Sequence, residues 1–388
     1  MRIGVTLYAQ NYGDWDRYEA HERGEESTST VDGTVDAQIL SDEIGLGLLV
    51  EELGFDSLWT IEHHVTPYTM VTNPLQLLTF FAGATSRIDL GTMVVVLPWH
   101  HPIRVAEDII MLQHALRGRK AFIGFGRGAA QREFKQLGID MNQSRQLFHE
   151  GVEIVKLALT EDEFSYHGEI HHFEDVSVRP RPRDAQALLD NLHFSWGSPA
   201  SAPVGAAHGL KPLIIPQKPL DEYHADLTEF GKARAEIGLE PARPRMHLNI
   251  ICVEDEQEAY DLAHKHIPEY VDSAAREYEL GGQHFKTIKG YEHYARMEVV
   301  DRSHIVNGMA KTYLDNHIWG TPAQCLDKIR SLSDRFHPEE FMLVFKYGSM
   351  SIETAERSLR LFAEKVLPAA QAIEVLEPIV YTEAAAAQ

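Results

Sequence analysis

Three adjacent side chains, Glu62, His63 and His64, concentrate more proton chemistry than any other stretch of the chain. One carboxylate and two imidazoles can hold and move protons near neutral pH. They follow directly on Ser57–Ile61, whose aromatic and β-branched content reads as a short buried strand, itself preceded by Gly54, a residue able to end a helix. A buried parallel strand with Glu-His-His at its C-terminal end puts reactive groups where α/β proteins keep them. Adjacency alone carries little weight, because the chain has 21 histidines and repeats the pair at His100-His101 and His171-His172. Position is the signal.

Two further stretches have the chemistry of an anion site. Gly124-x-Gly126-x-x-Ala129 formally fits a dinucleotide fingerprint, but it follows the fourth expected strand and no acidic residue closes a following strand at the right distance. The better reading keeps the glycines and adds Arg127: backbone N–H groups approach a phosphate closely and the guanidinium supplies charge. Ser198 and Ser201 stand at the start of the helix after the fifth strand, offering two hydroxyls beside free N–H groups. Taken alone, Ser198 is simply an N-cap. Together with Arg127 from a neighbouring strand end, one phosphate monoester could bridge both. No metal centre is expected, since His63 and His64 on an extended backbone point to opposite faces and metal-binding histidine spacings are absent.

The elements that must position these groups are legible as hydrophobic periods. Strands are expected at Ile3–Leu7, Ser57–Ile61, Ile88–Leu97, Ala121–Phe125, Leu192–Trp196, Leu213–Ile215, His247–Val253 and Glu340–Phe345. Helices fall between them, from about Gln38 to Leu53, from Asn73-Pro74 to Ala84, Ile103 to Leu116, Gln143 to Leu159, across Leu227–Ile237, from Glu256, and Ser351 to Leu367. Eight β-then-α units over 388 residues, with no linker, predict one α/β domain, a TIM (β/α)8 barrel. A doubly wound sheet with an added domain is the alternative. Insertions are expected at about 10–36, 161–190 (with a hairpin turning at His167-Gly168) and 281–306. The first reads as an active-site cover or a partly disordered surface insertion, the last as a lid over the barrel mouth or a surface excursion. The tail from Thr382 reads as frayed.

Composition removes several classes. A formal charge of −22 without a basic block excludes nucleic acid and anionic membranes as partners. Cys252 and Cys325 are too few for a disulfide framework. No membrane-length apolar run is present and MRIGVTLYAQ lacks a signal-peptide core, so a cytoplasmic location is expected.

Three blocks, GFDSLWTIEHHVT, NPLQLLTFFAGATSRIDLGTMVVVLPWHHPIRVAEDIIML and GFGRGAAQREFKQLGIDMNQSR, resemble the bacterial-luciferase-like flavin-dependent monooxygenases. The likeness fades beyond Phe148 and returns in IWGTPAQCLDKI and the last strand and helix. The resemblance implies a TIM barrel binding reduced FMN, with the phosphate held by Arg127, the backbone at Ala129, and the hydroxyls of Ser198 and Ser201. It implies His63 as the catalytic histidine, with Glu62 and His64 as pocket neighbours, and a non-proline cis peptide at Met93-Val94 under the ring. Gly126 stands where the light-emitting subunit has a reactive cysteine and Gly197 where it has a glutamate, and LIIPQ (213–217) lacks a nearby tryptophan. Flavin binding survives these changes, while light emission and a long-chain aldehyde substrate are disfavoured.

The chemistry so implied takes FMNH2 from a separate flavin reductase, forms a C4a-(hydro)peroxide with O2, and oxygenates a small apolar substrate behind walls that exclude water. Leu58, Trp59, Ile61 and Val94–Val96 are expected to help build that dry floor, with Glu62 orienting His63. Alternatives are a coenzyme-F420-dependent oxidoreductase of the same superfamily or a non-catalytic flavin-binding subunit. A homodimer or luciferase-like heterodimer is the expected assembly.

Overall fold

The computed structural model describes residues 1–25, 30–288, 291 and 302–380. The barrel strands are β1 (Arg2–Leu7), β2 (Ser57–Thr60), β3 (Asp89–Val96), β4 (Ala121–Gly126), β5 (Leu192–Ser195), β6 (Lys211–Ile214), β7 (Arg245–Cys252) and β8 (Glu340–Val344). All pair in parallel with their sequence neighbours: Gly4 stands opposite Ser57, Thr92 opposite Ile123, and Met342 opposite His247. One further pairing, β8 with β1, closes the ring, and a short ninth strand, Ile318–Gly320, pairs in parallel with the C-terminal half of β7. Closure with helices packed outside makes the fold a TIM barrel. Every expected strand lies within two residues of its observed bounds.

The N-terminal end of the barrel is plugged by charge. β1, β2, β3, β7 and β8 begin with Arg2, Ser57, Asp89, Arg245 and Glu340. Arg245 is fully buried; it pairs with Glu340 and Glu339 (3.1 Å for the latter) and donates from Nε to His193 Nε2 at 3.0 Å. Its guanidinium also lies 3.9 Å from the centroid of Phe122, which stacks on Trp59. Burial pushes the Arg245 pKa down to about 10, yet still leaves it cationic at neutral pH. Gly4 and Gly91 make room here, since a Cβ on either would run into Ser57 or Trp59. This end is structural, so the opposite end is open for chemistry.

Local rules account for most helix starts. Asn73 caps Pro74–Ala84 by accepting from Gln76 N at 2.9 Å, and Thr321 with Gln324 forms a capping box on Pro322–Phe336. The helix expected from Gln38 begins earlier, at Gly33, because Asp32 accepts from Thr34 N and caps it there. Of the insertion at 10–36, the first half is packed structure: Trp15–Glu22 is helical, Trp15 is buried with its Nε1 donating to Ser273 Oγ at 2.5 Å, and Arg132 lies over the rings of Trp15 and Tyr18. Residues 26–29 lie outside the described ones. The hairpin in 161–190 pairs Phe164–His167 with His172–Val176, and Glu150 ties its turn by accepting from the N–H groups of Glu169, Ile170 and His171.

The expectation for 281–306 meets two different outcomes. Phe285 and Tyr291 are buried, which polar composition concealed, and a helix over Arg302–Asn316 starts inside the segment. Residues 289–290 and 292–301, like the tail from Thr382, fall outside the described residues. Among the described residues no helix is long and apolar enough to cross a membrane.

Candidate active site

The loops after β2, β4 and β5 and the last residues of β3 converge on one cavity of about 240 Å³ at the C-terminal mouth of the barrel. Glu62, His63, Met93, Val94, Gly126, Arg127, Ala129, Ser198 and Ser201 all line it. His64 does not; it stands behind Glu62. Alternation along the extended backbone turns His63 away from Glu62 and His64, and Glu62 reaches the cavity wall from its own side with His64 behind it.

Glu62 and His64 share one face. Glu62 is buried, and its Oε1 takes hydrogen bonds from His64 Nε2 at 2.8 Å and His100 Nε2 at 2.5 Å, while Oε2 accepts from Val96 N at 2.7 Å. Burial pushes the Glu62 carboxyl up, but the bonds from His100 and His64 outweigh it and hold the pKa below the usual range. The same pairing raises the His100 pKa against the effect of burial. Glu62, His64 and His100 are donor types a divalent metal would take. Their N···O separations are those of hydrogen bonds, shorter than the roughly 2.9–3.4 Å spacing of ligands about 2.0–2.1 Å from one ion.

His63 faces the other way. Its Nδ1 lies 3.1 and 3.3 Å from the carboxylate oxygens of Glu133 and 3.8 Å from Glu277 Oε1; its Nε2 lies 3.3 Å from the Tyr278 hydroxyl. Tyr68 meets the ring edge-on. The expected orienting role of Glu62 is therefore corrected: that carboxylate is occupied by His64 and His100, and Glu133 stands against His63. Glu133 comes from the short helix Gln131–Gln136, where Glu133 and Phe134 are the two inward residues, and it also accepts from His64 N at 2.6 Å. A carboxylate on the apolar side of a helix was the only available sequence signal. Glu277 closes the helix Glu256–Glu277, and nothing local marks it.

At the other end, Ser198 and Ser201 are buried with their hydroxyls 2.8 Å apart. The expected helix start is a 3-10 turn, Pro199–Ser201, leading to a six-residue helix, and Ser201 N is already bonded to Ser198 O. The hydroxyls, more than a helix dipole, make this end polar. Arg127 lies 4.4 Å from the Tyr291 ring centroid, and Tyr291 donates to Gly128 O at 2.6 Å, tying the glycine-rich turn. Gly128 has φ +75 and Gly126 abuts Val94, so side chains at either would strain the turn or fill it. Arg145, not singled out by sequence reasoning, has a buried Nε without a hydrogen-bond partner among the described residues. Burial depresses the His149 pKa, and the charges of Arg145 and Arg127 depress it further. Buried hydroxyls, the Arg127 guanidinium and a glycine cradle, all lining one cavity, fit a phosphate monoester.

Between the two ends the floor is apolar. The Met93–Val94 peptide is cis, and Val94 and Val96 face the cavity with Trp99, Phe194 and Trp196. Leu58, Trp59, Ile61 and Val95 are buried in the core and do not line the cavity; along β3, alternation turns Val95 away from the face that Val94 and Val96 share.

The chain is thus a closed parallel barrel whose mouth carries a polar end at Arg127, Ser198 and Ser201 and an acid–base end at His63, across one apolar cavity. The family signature described as luciferase-like monooxygenase matches residues 21–336, and the chain belongs to that family. It is similar to the alkanal monooxygenase alpha chain of Photorhabdus luminescens, 25% identical over 340 residues covering 84% of this chain and 90% of that one. Among solved structures, the oxygenating constituent of 3,6-diketocamphane monooxygenase from Pseudomonas putida, in complex with FMN, superposes with a TM-score of 0.69 at 20% identity, covering 97% of this chain and 99% of the other. A coenzyme-F420-dependent secondary alcohol dehydrogenase superposes with a TM-score of 0.66 at 16% identity, covering 95% and 99%. At those identities the structures speak for the fold, and the coarse class that follows is an oxidoreductase.

Proposed function

We propose that the protein is a flavin-dependent monooxygenase that takes reduced FMN from a separate flavin reductase and uses O2 to oxygenate a small, largely apolar organic substrate. One observation carries the reading: Arg127, Ser198 and Ser201 share a single apolar-floored cavity with His63. Relatives bind FMN or coenzyme F420, which supports a flavin or deazaflavin; the finer choice of FMN rests on the end of the cavity lined by Arg127 and the two serines.

Reduced FMN, when bound, supplies the two electrons that activate O2, one oxygen atom going to substrate and the other to water. Arg127 and the hydroxyls of Ser198 and Ser201 hold the phosphate. Val94, Val96, Trp99, Phe194 and Trp196 keep water from the reacting atoms, where it would divert O2 to H2O2. Burial lowers the His63 pKa and keeps the ring neutral near pH 7, so it can exchange a proton at Nε2 beside Tyr278. A homodimer or a luciferase-like heterodimer is the proposed assembly.

Replacing Arg127 with alanine is expected to weaken FMN about 10–100-fold, the usual worth of a charge-assisted contact of about 1.5–3 kcal/mol. Riboflavin, which has no phosphate, should bind both forms alike. Anaerobic fluorescence titration with each flavin reads the difference. Equal losses for FMN and riboflavin would move the phosphate away from Arg127, and failure of the wild type to oxygenate any of a panel of apolar substrates with reductase and NADH supplied would remove the monooxygenase reading.

A further inference from the structure

We propose that Glu133 and Glu277 form a carboxylate pair that shares one proton and holds His63 in the Nδ1–H tautomer, leaving Nε2 as the lone-pair nitrogen toward the cavity. Its consequence for catalysis rests on the monooxygenase reading; the tautomer itself does not.

The argument begins with placement. The ligand-type atoms of His63, Glu133 and Glu277 all lie within 4.8 Å of one another, and both glutamates have no exposed surface. Two full negative charges that close, out of water, would repel strongly, so one proton between them is the low-energy state. A pair carrying a single negative charge still offers Glu133 oxygens to His63 Nδ1, and an acceptor fixes the proton of a neutral imidazole on the nitrogen that faces it. Nε2 then accepts from the Tyr278 hydroxyl, which lines the cavity.

The surroundings contain too little positive charge to ionise both acids. The helix Gln131–Gln136 adds Arg132, whose charge acts on Glu277 but which Glu22 and Glu279 also share. The loop after β2 adds the His64 backbone N–H on Glu133, the His64 ring, the Glu62 carboxylate and the Thr66 hydroxyl, while Tyr68 meets the His63 ring and turns its hydroxyl to Tyr270. The N-terminal helix adds Tyr18, and the turn after Glu277 adds Tyr278. In keeping with this, burial pushes both carboxyls up from the usual carboxylate range, and repulsion from Glu133 adds to the shift at Glu277, a strain that one shared proton relieves; burial lowers His63. The sign follows: the folded state keeps protons that the unfolded chain has lost, so this pair makes stability fall as pH rises from about 4.5 to about 8, with no further change above.

The test is the ring-nitrogen NMR spectrum of the 15N-histidine-labelled full chain without flavin, with the His63 signals assigned by their loss in His63→Asn. At pH 7 the expected pattern is protonated Nδ1 and bare Nε2. Glu277→Gln, a mimic of the protonated acid, keeps that pattern and abolishes the titration of His63 shifts near pH 8. Glu133→Gln shifts the tautomer ratio at least about threefold toward Nε2–H. With flavin, reductase and substrate, Glu133→Gln lowers product formation roughly 10-fold or more and alters the pH profile, whereas FMN affinity is unmoved. An imidazolium or an Nε2–H form in the wild type at pH 7 overturns the proposal, and that spectrum decides the matter even if the variants do not fold. The expected tautomer in a protein that oxygenates nothing would leave the pair standing and sink the monooxygenase reading alone.

Discussion

Replacing His63 with alanine is expected to lower product formation by about 10²–10⁴-fold while FMN binding stays near its wild-type strength. The magnitude is that of a group positioned to exchange a proton at the reacting centre, and the selectivity follows from geometry. His63 sits at the acid–base end of the cavity, whereas Arg127, Ser198 and Ser201, the proposed phosphate ligands, come from the β4 and β5 ends. O2 consumption should continue and appear as H2O2, because the ring that handles the proton is gone while the apolar walls remain. Oxygen uptake, peroxide and product measured together give the coupling ratio. A variant that couples as well as the wild type would take His63 out of the mechanism. His64 does not line the cavity and acts through Glu62 and the Trp99 ring, so a smaller loss is expected of His64→Ala.

Arg245→Met carries the largest expected loss of stability, about 3–5 kcal/mol, because it leaves Glu340 buried beside Ser57 without its main counter-charge. Arg2, 3.6 Å from Glu340, remains as a partial substitute and places the value toward the lower end. Pairing the change with Glu340→Gln should recover much of the loss, since removing both charges costs less than stranding one. Urea unfolding of the single and double variants makes the comparison. A single variant within about 1 kcal/mol of wild type would mean that the plug contributes shape and not charge. The site lies at the far end of the same strands, so a stable double variant should keep its affinity for FMN.

Much of this protein was legible as sequence because local physics decides it. Buried strands announce themselves by β-branched runs such as Ile88–Leu97, and helix starts by caps such as Asn73-Pro74. The order of eight β-then-α units leaves few ways to cover both faces of a parallel sheet. The same order placed Glu62, His63, Gly126, Arg127, Ser198 and Ser201 at strand ends, hence at one mouth. Even the separation of His63 from His64 follows from the two-residue period of an extended chain.

What only the tertiary structure decided are the partners. Glu133 and Glu277 lie 70 and 214 positions after His63, and no local pattern links them to it. Whether a carboxylate is a solvated surface charge or half of a buried acid pair depends on what other elements bring against it. Nor could composition choose between cover and surface excursion for the segments that hold Trp15 and Tyr291, because that choice turns on where one aromatic side chain each is seated, against Ser273 and Gly128. Periodicity reports which face of an element is inward; only the closed barrel determines what that face meets.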